Sequence, residues 1–252
     1  MKKYLTVFLT LCLCLSALPA LAQTELTVFA AASMTEALTE IAGMYQKVQP
    51  DVQLTFNFDS SGTLKTQIEQ GAEADVFISA GQKQMNELDC VLEGSRFDLL
   101  TNTVVLIVPE DSAADVVSFE DVGTDKVGLI ALGNSDVPVG QYAQDVFTYL
   151  KLWDKLNGEH KITFASNVKE VLSQVEMGAV DCGVVYISDA VTSQKIRVVA
   201  SAPEGSHQPV CYPAAALAGT KHEKEALAFL EYLKGDECKA VFEKIGFGAV
   251  QR

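Results

Sequence analysis

The 252-residue chain has no C-x-x-C pair, no H-E-x-x-H helix, no G-x-S-x-G elbow and no glycine-rich loop of the G-x-x-x-x-G-K-[ST] kind. Those absences remove the common zinc, dithiol, serine-hydrolase and P-loop readings. The three histidines, His160, His207 and His222, form no paired metal motif and are expected in solvated loops or turns. Basic residues are few: 19 Lys and Arg stand against 33 Asp and Glu, a net charge of −14. So acidic a surface argues against nucleic acid and against an anionic membrane as partners. It does not bar a small anion from a pocket, because donors in direct contact outweigh surface charge that salt screens over about 8–10 Å. Linkers rich in Gly, Ser or Pro, tandem repeats and low-complexity tracts are missing, and after residue 22 no apolar run is long enough to span a membrane.

What is present begins with a leader. Lys2 and Lys3 open it, Leu5 to Leu18 is mostly apolar, and Ala20-Leu21-Ala22 is a small-x-small cleavage site. Residues 1–22 therefore read as a secretory signal peptide cut after Ala22, and the mature chain is expected to be soluble outside the cytoplasm. It keeps 230 residues, enough for two lobes, with 17 basic against 33 acidic side chains, a net of −16. Cys12 and Cys14 leave with the leader, neither in a convincing lipoprotein context. Cys90, Cys182, Cys211 and Cys238 remain. In an exported protein an even number suggests disulfides, with three connectivities open, although a core of this size does not need staples.

The mature sequence alternates strands and helices. Leu26 to Phe29 is a short apolar, β-branched run; Ala30, Ala31 and Ala32 leave room for a tight turn; Ser33 is placed as N-cap with Glu36 completing a capping box. Val52 to Phe58 alternates as a second strand, and Ser60-Ser61-Gly62-Thr63-Leu64 opens a helix that Gly71 stops. Ala74 to Ala80 is a third strand, and Thr103 to Val108 carries the chain out of the first lobe. In the second lobe, strands at Lys126–Leu132, Lys161–Phe164, Cys182–Tyr186 and Ile196–Ala200 alternate with helices at Gln141–Leu152 and Val168–Glu176, the latter capped by Ser166-Asn167. Trp153 is expected as a packing residue there. Tyr212–Leu217 is a return strand, and helices at Glu223–Leu233 and Glu237–Ile245 rejoin the first lobe.

Strands joined by single helices imply an α/β fold of two lobes, each a mainly parallel sheet flanked by helices, with a ligand cleft between them. The expected division is 23–104 plus 209–252 for lobe 1 and 105–208 for lobe 2. Ser33 and Ser61 each stand where a helix begins, so free N–H groups, the positive end of the helix dipole and a hydroxyl converge as an anion seat. Taken singly, each stretch is equally an ordinary helix cap.

Five blocks in order carry a resemblance: Val28 to Ser33, Ser60 to Leu64, Ala74 to Ala80, Val137 to Ala143 and Gly183 to Ala190. Together they resemble the periplasmic molybdate-binding proteins of ABC transporters, over nearly the whole mature chain. The resemblance implies a type II periplasmic binding protein, not an enzyme, that is a monomer in the periplasm. It implies a tetrahedral oxyanion, molybdate or tungstate, held by neutral donors: hydroxyl and N–H of Ser33 and Ser61, the N–H of Val139 and of Val168, and the Tyr186 hydroxyl. It implies a membrane permease as partner and no cofactor; molybdenum is met only through its oxygens, with no direct protein–metal ligand. The family often has a small residue at Val139, where only a main-chain donor is asked. Asp59 and Gly62 stand where serines are frequent, and the Asp59 carboxylate is expected to point away or to accept a backbone bond.

A donor-only site rejects an anion that presents a hydroxyl, because that proton would find no acceptor. Phosphate is thereby excluded, whereas sulfate or thiosulfate remains the alternative ligand class and only cavity size separates it from molybdate. An iron receptor would need paired tyrosines with carboxylates, and an organic solute an Arg or Asp clamp; no lysine or arginine falls among the five residues.

Overall fold

The computed structural model describes residues 23–250; the leader and its cleavage site lie outside the described residues. Alternating side chains build β1 (Thr24–Ala31), with Leu26, Val28 and Ala30 in one core and Phe29 in a smaller one on the other face of the sheet. A 3₁₀ turn at Ala32–Met34 leads into α1 (Thr35–Val48). Next come β2 (Val52–Asp59), α2 (Ser61–Glu69), β3 (Val76–Ile78), α3 (Gln82–Asn86) and β4 (Phe97–Asn102). Gly71, at φ +90°, supplies the left-handed turn that ends the second βα unit.

After Thr103 the chain enters a second sheet. It forms β5 (Val104–Pro109), β6 (Ile130–Gly133), α4 (Pro138–Tyr149), α5 (Trp153–Gly158), β7 (Ile162–Ala165), α6 (Val168–Glu176), β8 (Cys182–Tyr186), α7 (Ile187–Ala190) and β9 (Ile196–Ser201). It then returns to the first sheet as β10 (Val210–Ala216), α8 (Glu223–Leu233), α9 (Asp236–Lys244) and β11 (Gly248–Ala249). The sheets run β11-β4-β10-β3-β1-β2 and β7-β6-β8-β5-β9.

Most strands in each sheet run one way, β1 to β4 in the first and β6 to β9 in the second. β10, β11 and β5 oppose them and pair antiparallel. The opposed strands β5 and β10 are those that follow the two crossings between sheets. They are also central, so both faces are covered and their side chains read as nearly continuous apolar runs, as in Val104 to Val108.

Parallel register brings the strand ends level. Ala31 lies beside Asp59, and Ala30 beside Ile78; in the second sheet Gly133 lies beside Ala165. Each βα turn therefore opens at one edge of its sheet, and the two edges face one another. β4 and α5 are elements the sequence does not announce: Phe97-Asp98-Leu99-Leu100-Thr101-Asn102 becomes a strand by pairing with β10 and β11 from the far end of the chain. Trp153 opens α5, half-buried against the core. Cys90, Cys182, Cys211 and Cys238 are all free thiols, which decides the open disulfide question; burial pushes Cys182 and Cys238 up, the latter to about 12. Among the described residues no helix is long and apolar enough to cross a membrane.

Candidate functional site

A small cavity lies where the two strand-end edges meet. Its walls include Ser33 and Ser61 from the first sheet's turns and Val139, Val168 and Tyr186 from the second's. All five of these residues are buried. The space open to the centre of a water-sized sphere is about 10 Å³, room for roughly one water. Larger grooves exist, one of about 440 Å³ beside Glu25, Glu73 and Asp75, but it opens to solvent away from both sets of strand ends.

Ser33 does not cap a helix. It sits inside the 3₁₀ turn, neither the turn nor α1 has a side-chain cap, and the Ser33 hydroxyl lies 2.8 Å from the hydroxyl of Tyr212 on β10. The expected capping box is absent because its two members have long-range partners. Glu36 reaches across to Lys169 Nζ at 2.7 and 2.9 Å. At the second turn the capping residue is Ser60, whose Oγ accepts the Thr63 N–H at 3.1 Å. Ser61 is the first helical residue, and its Oγ accepts the Ala80 N–H at 2.9 Å. A backbone N–H can only donate, so the Ser61 proton is left for another acceptor.

In the second lobe Pro138 takes the first position of α4, where its missing N–H costs nothing, and Val139 follows. Asn167 caps α6 by accepting the Glu170 N–H at 3.1 Å, and Glu170 in return accepts from the N–H and hydroxyl of Ser166, both at 2.7 Å. Those two donors hold the Glu170 carboxyl below its usual range. Val168 is therefore the first residue of a well-capped helix. As first-turn residues, Ser61, Val139 and Val168 have N–H groups without partners in their own helices, and three dipoles present their positive ends. Tyr186 ends β8. Its hydroxyl donates to Ala80 O in the other lobe at 3.3 Å, and complete burial raises its pKa well above the usual tyrosine value, so it stays a protonated donor.

Among the described residues lining the cavity there is no lysine or arginine, and Asp59 is the one carboxylate. Asp59 Oδ1 accepts the Ser60 N–H at 2.7 Å and faces Asn167 Nδ2 at 3.3 Å, so that oxygen is engaged by donors. The lobes touch around the rim. Gly62 N–H donates to Asp136 O at 3.0 Å, and a Cβ on Gly62 would collide with that carbonyl. Lys169, beside Val168, bridges Glu36 of the first lobe and the fully buried Asp189 of its own, 3.0 Å away. Burial pushes the Asp189 carboxyl up to about 6, against the opposing pull of Lys169. Tyr212, Ala80, Lys169 and Asp189 all shape the site, and none is among the expected site residues; their roles come from partners that only the folded chain brings near, from 19 to 179 residues away.

The model of the bacterial extracellular solute-binding protein family matches residues 26–248. The chain is 38% identical to the molybdate-binding protein ModA of Haemophilus influenzae over 235 residues, 90% of this chain and 91% of that protein. It is 37% identical to ModA of Escherichia coli over 231 residues, 88% of each chain. The solved periplasmic molybdate-binding protein of Azotobacter vinelandii superposes with a TM-score of 0.81 at 26% identity, over 90% of this chain and 100% of that one. Two sheets with facing strand ends, a small cavity between them and these likenesses lead to one assignment: the chain belongs to the family of bacterial extracellular solute-binding proteins.

Proposed function

We propose that this protein is a periplasmic receptor that captures molybdate or tungstate and delivers it to the membrane permease of an ABC transporter. The observation that carries this reading is a small cavity where the two strand-end edges meet, walled by residues at helix starts and by hydroxyl-bearing side chains, without a basic side chain. The names of the relatives agree with it.

In this reading Ser33 and Ser61 offer hydroxyl and N–H from the first lobe, Val139 and Val168 offer N–H from the second, and Tyr186 offers its hydroxyl. The Tyr186 bond to Ala80 O is long, and the hydroxyl exchanges that carbonyl for a ligand oxygen as the anion enters. Molybdate at neutral pH carries two charges and no proton, so a ring of donors satisfies every oxygen. Each charge-assisted bond contributes about 1.5–3 kcal/mol. About seven such bonds outweigh an association cost of roughly 4–15 kcal/mol. No cofactor and no direct protein–metal bond is needed. The receptor works as a monomer, exported by its leader with cleavage after Ala22, and its lobes close by bending at the two crossings.

Titration calorimetry of ligand-stripped mature protein against molybdate, tungstate, sulfate and phosphate at neutral pH tests this. One-to-one binding of the first two, weak sulfate and silent phosphate is expected. Tight sulfate binding with weak molybdate would move the assignment to a sulfate-class receptor, and silence for all four would overturn it.

A further inference from the structure

From Asn102, Tyr212 and Ser33 we infer that a hydrogen-bond relay running out of the first lobe's core fixes the Ser33 hydroxyl as a donor to the cavity, making Tyr212 and Asn102 positioning residues for anion selectivity. The inference deepens the proposed function and rests on it for the identity of the anion.

The direction of each proton follows from groups that have no choice. Thr103 N–H, a donor only, is 2.9 Å from Asn102 Oδ1, which fixes which end of that amide is oxygen. The amide nitrogen then faces two oxygens, Ser188 Oγ at 2.8 Å and Tyr212 OH at 3.2 Å, and its two protons serve one each. Tyr212, fully buried, thus accepts from Asn102 and must spend its own proton on its other neighbour, Ser33 Oγ, at 2.8 Å. Burial also raises its pKa well above the usual tyrosine value, so that proton is retained. Ser33 Oγ is left with a proton and no acceptor among the described residues, on the cavity wall. Ser61 reaches the same condition by a shorter route, since Ala80 N–H occupies its oxygen. Both serines therefore point protons at the ligand. A carbonyl or carboxylate behind either one would have turned the hydroxyl round and let the site accept a P–OH.

The test reverses the relay instead of only cutting it. Asn102→Asp replaces the donor behind Tyr212 with an acceptor, so Tyr212 donates backwards and Ser33 offers a lone pair to the cavity. Titrations use molybdate and inorganic phosphate at neutral pH on wild type, Tyr212→Phe, Asn102→Asp and the double variant. Tyr212→Phe is expected to weaken molybdate by roughly tenfold, the worth of one hydrogen bond. Asn102→Asp is expected to weaken it by roughly a hundredfold and to bring phosphate binding into range. In the double variant the added charge persists but nothing behind Ser33 directs its hydroxyl, so its molybdate-to-phosphate ratio should match that of Tyr212→Phe and not that of Asn102→Asp. Equal molybdate-to-phosphate ratios in all four proteins would overturn the relay. A ligand-independent reading separates the two claims: in the NMR spectrum of the free protein the Tyr212 hydroxyl proton should show nuclear Overhauser contacts to the Ser33 β-protons. That contact supports the relay even if wild type binds none of the anions, in which case only the ligand assignment falls; contacts to Asn102 in its place would overturn the relay.

Discussion

At the cavity the first lobe presents serines and the second presents valines. Ser33 and Ser61 have hydroxyls tied from behind to Tyr212 and Ala80, whereas Val139 and Val168 have apolar side chains packed in the core, so their donors are main-chain only. Both lobes use strand ends and helix starts to aim donors inward. They differ in what a mutation can reach: a side-chain donor can be deleted, a backbone donor cannot. The first lobe is thus editable at two hydroxyls, the second at the Tyr186 hydroxyl alone and otherwise mainly at the packing that holds it.

The largest effect should come from the lysine that pairs across the two lobes. Lys169→Met leaves Asp189 buried without its ammonium, and stability is expected to fall by about 3–5 kcal/mol in denaturant unfolding at neutral pH. The sign of its pH dependence follows from Asp189. With its folded pKa raised to about 6, the carboxyl contributes stability that is fully present below the ordinary carboxylate value of about 3.9 and is lost as pH rises through about 6. The penalty of Lys169→Met should therefore shrink on acidification through pH 6, and Asp189→Asn should flatten the slope of Tm between about pH 4 and 6. A penalty that grows on acidification would refute the buried-charge account.

Next in size are the serines. Ser33→Ala and Ser61→Ala should each weaken molybdate by about 1–3 kcal/mol in calorimetry. Ser61→Ala should also cost stability, because Ala80 N–H loses its acceptor. Unchanged affinity in both would return these residues to a purely structural role. Gly62→Ala probes the seam itself: its methyl meets Asp136 O only when the lobes are together, so it should cost about 1–3 kcal/mol in affinity with little change in Tm. The smallest effect sharpens the contrast. Val139→Ala and Val168→Ala should lower Tm through lost packing while leaving affinity within about 0.5 kcal/mol, since the donors are main-chain.

The βα order, the serine-led turns and the Asn167 cap can be read in the sequence because they depend on neighbours within four residues. Val168–Glu176, Cys182–Tyr186 and Glu223–Leu233 fall where periodicity and caps put them. The Ser33 capping box shows where that legibility ends. Ser33 and Glu36 have cap spacing, yet a tyrosine 179 residues on and a lysine 133 residues on offer them partners in the folded chain. β4 was hidden for a related reason. Its Asp and Asn lower strand propensity, and β10 and β11, from the end of the chain, complete its ladder. Local chemistry thus reveals where donors stand, and only tertiary partners decide which way their protons point.

On the proposed reading, the seam between the lobes also sets a clock. An anion held between the lobes would leave as Gly62 parts from Asp136 and Lys169 from Glu36, so its escape rate would be capped by the opening rate of the lobes, a collective motion of about microseconds to milliseconds or slower. Weak and tight anions would then differ chiefly in how long the closed state persists around them. A transporter that read the closed shape would measure dwell time, and the seam residues would tune how long each cargo is held out for collection.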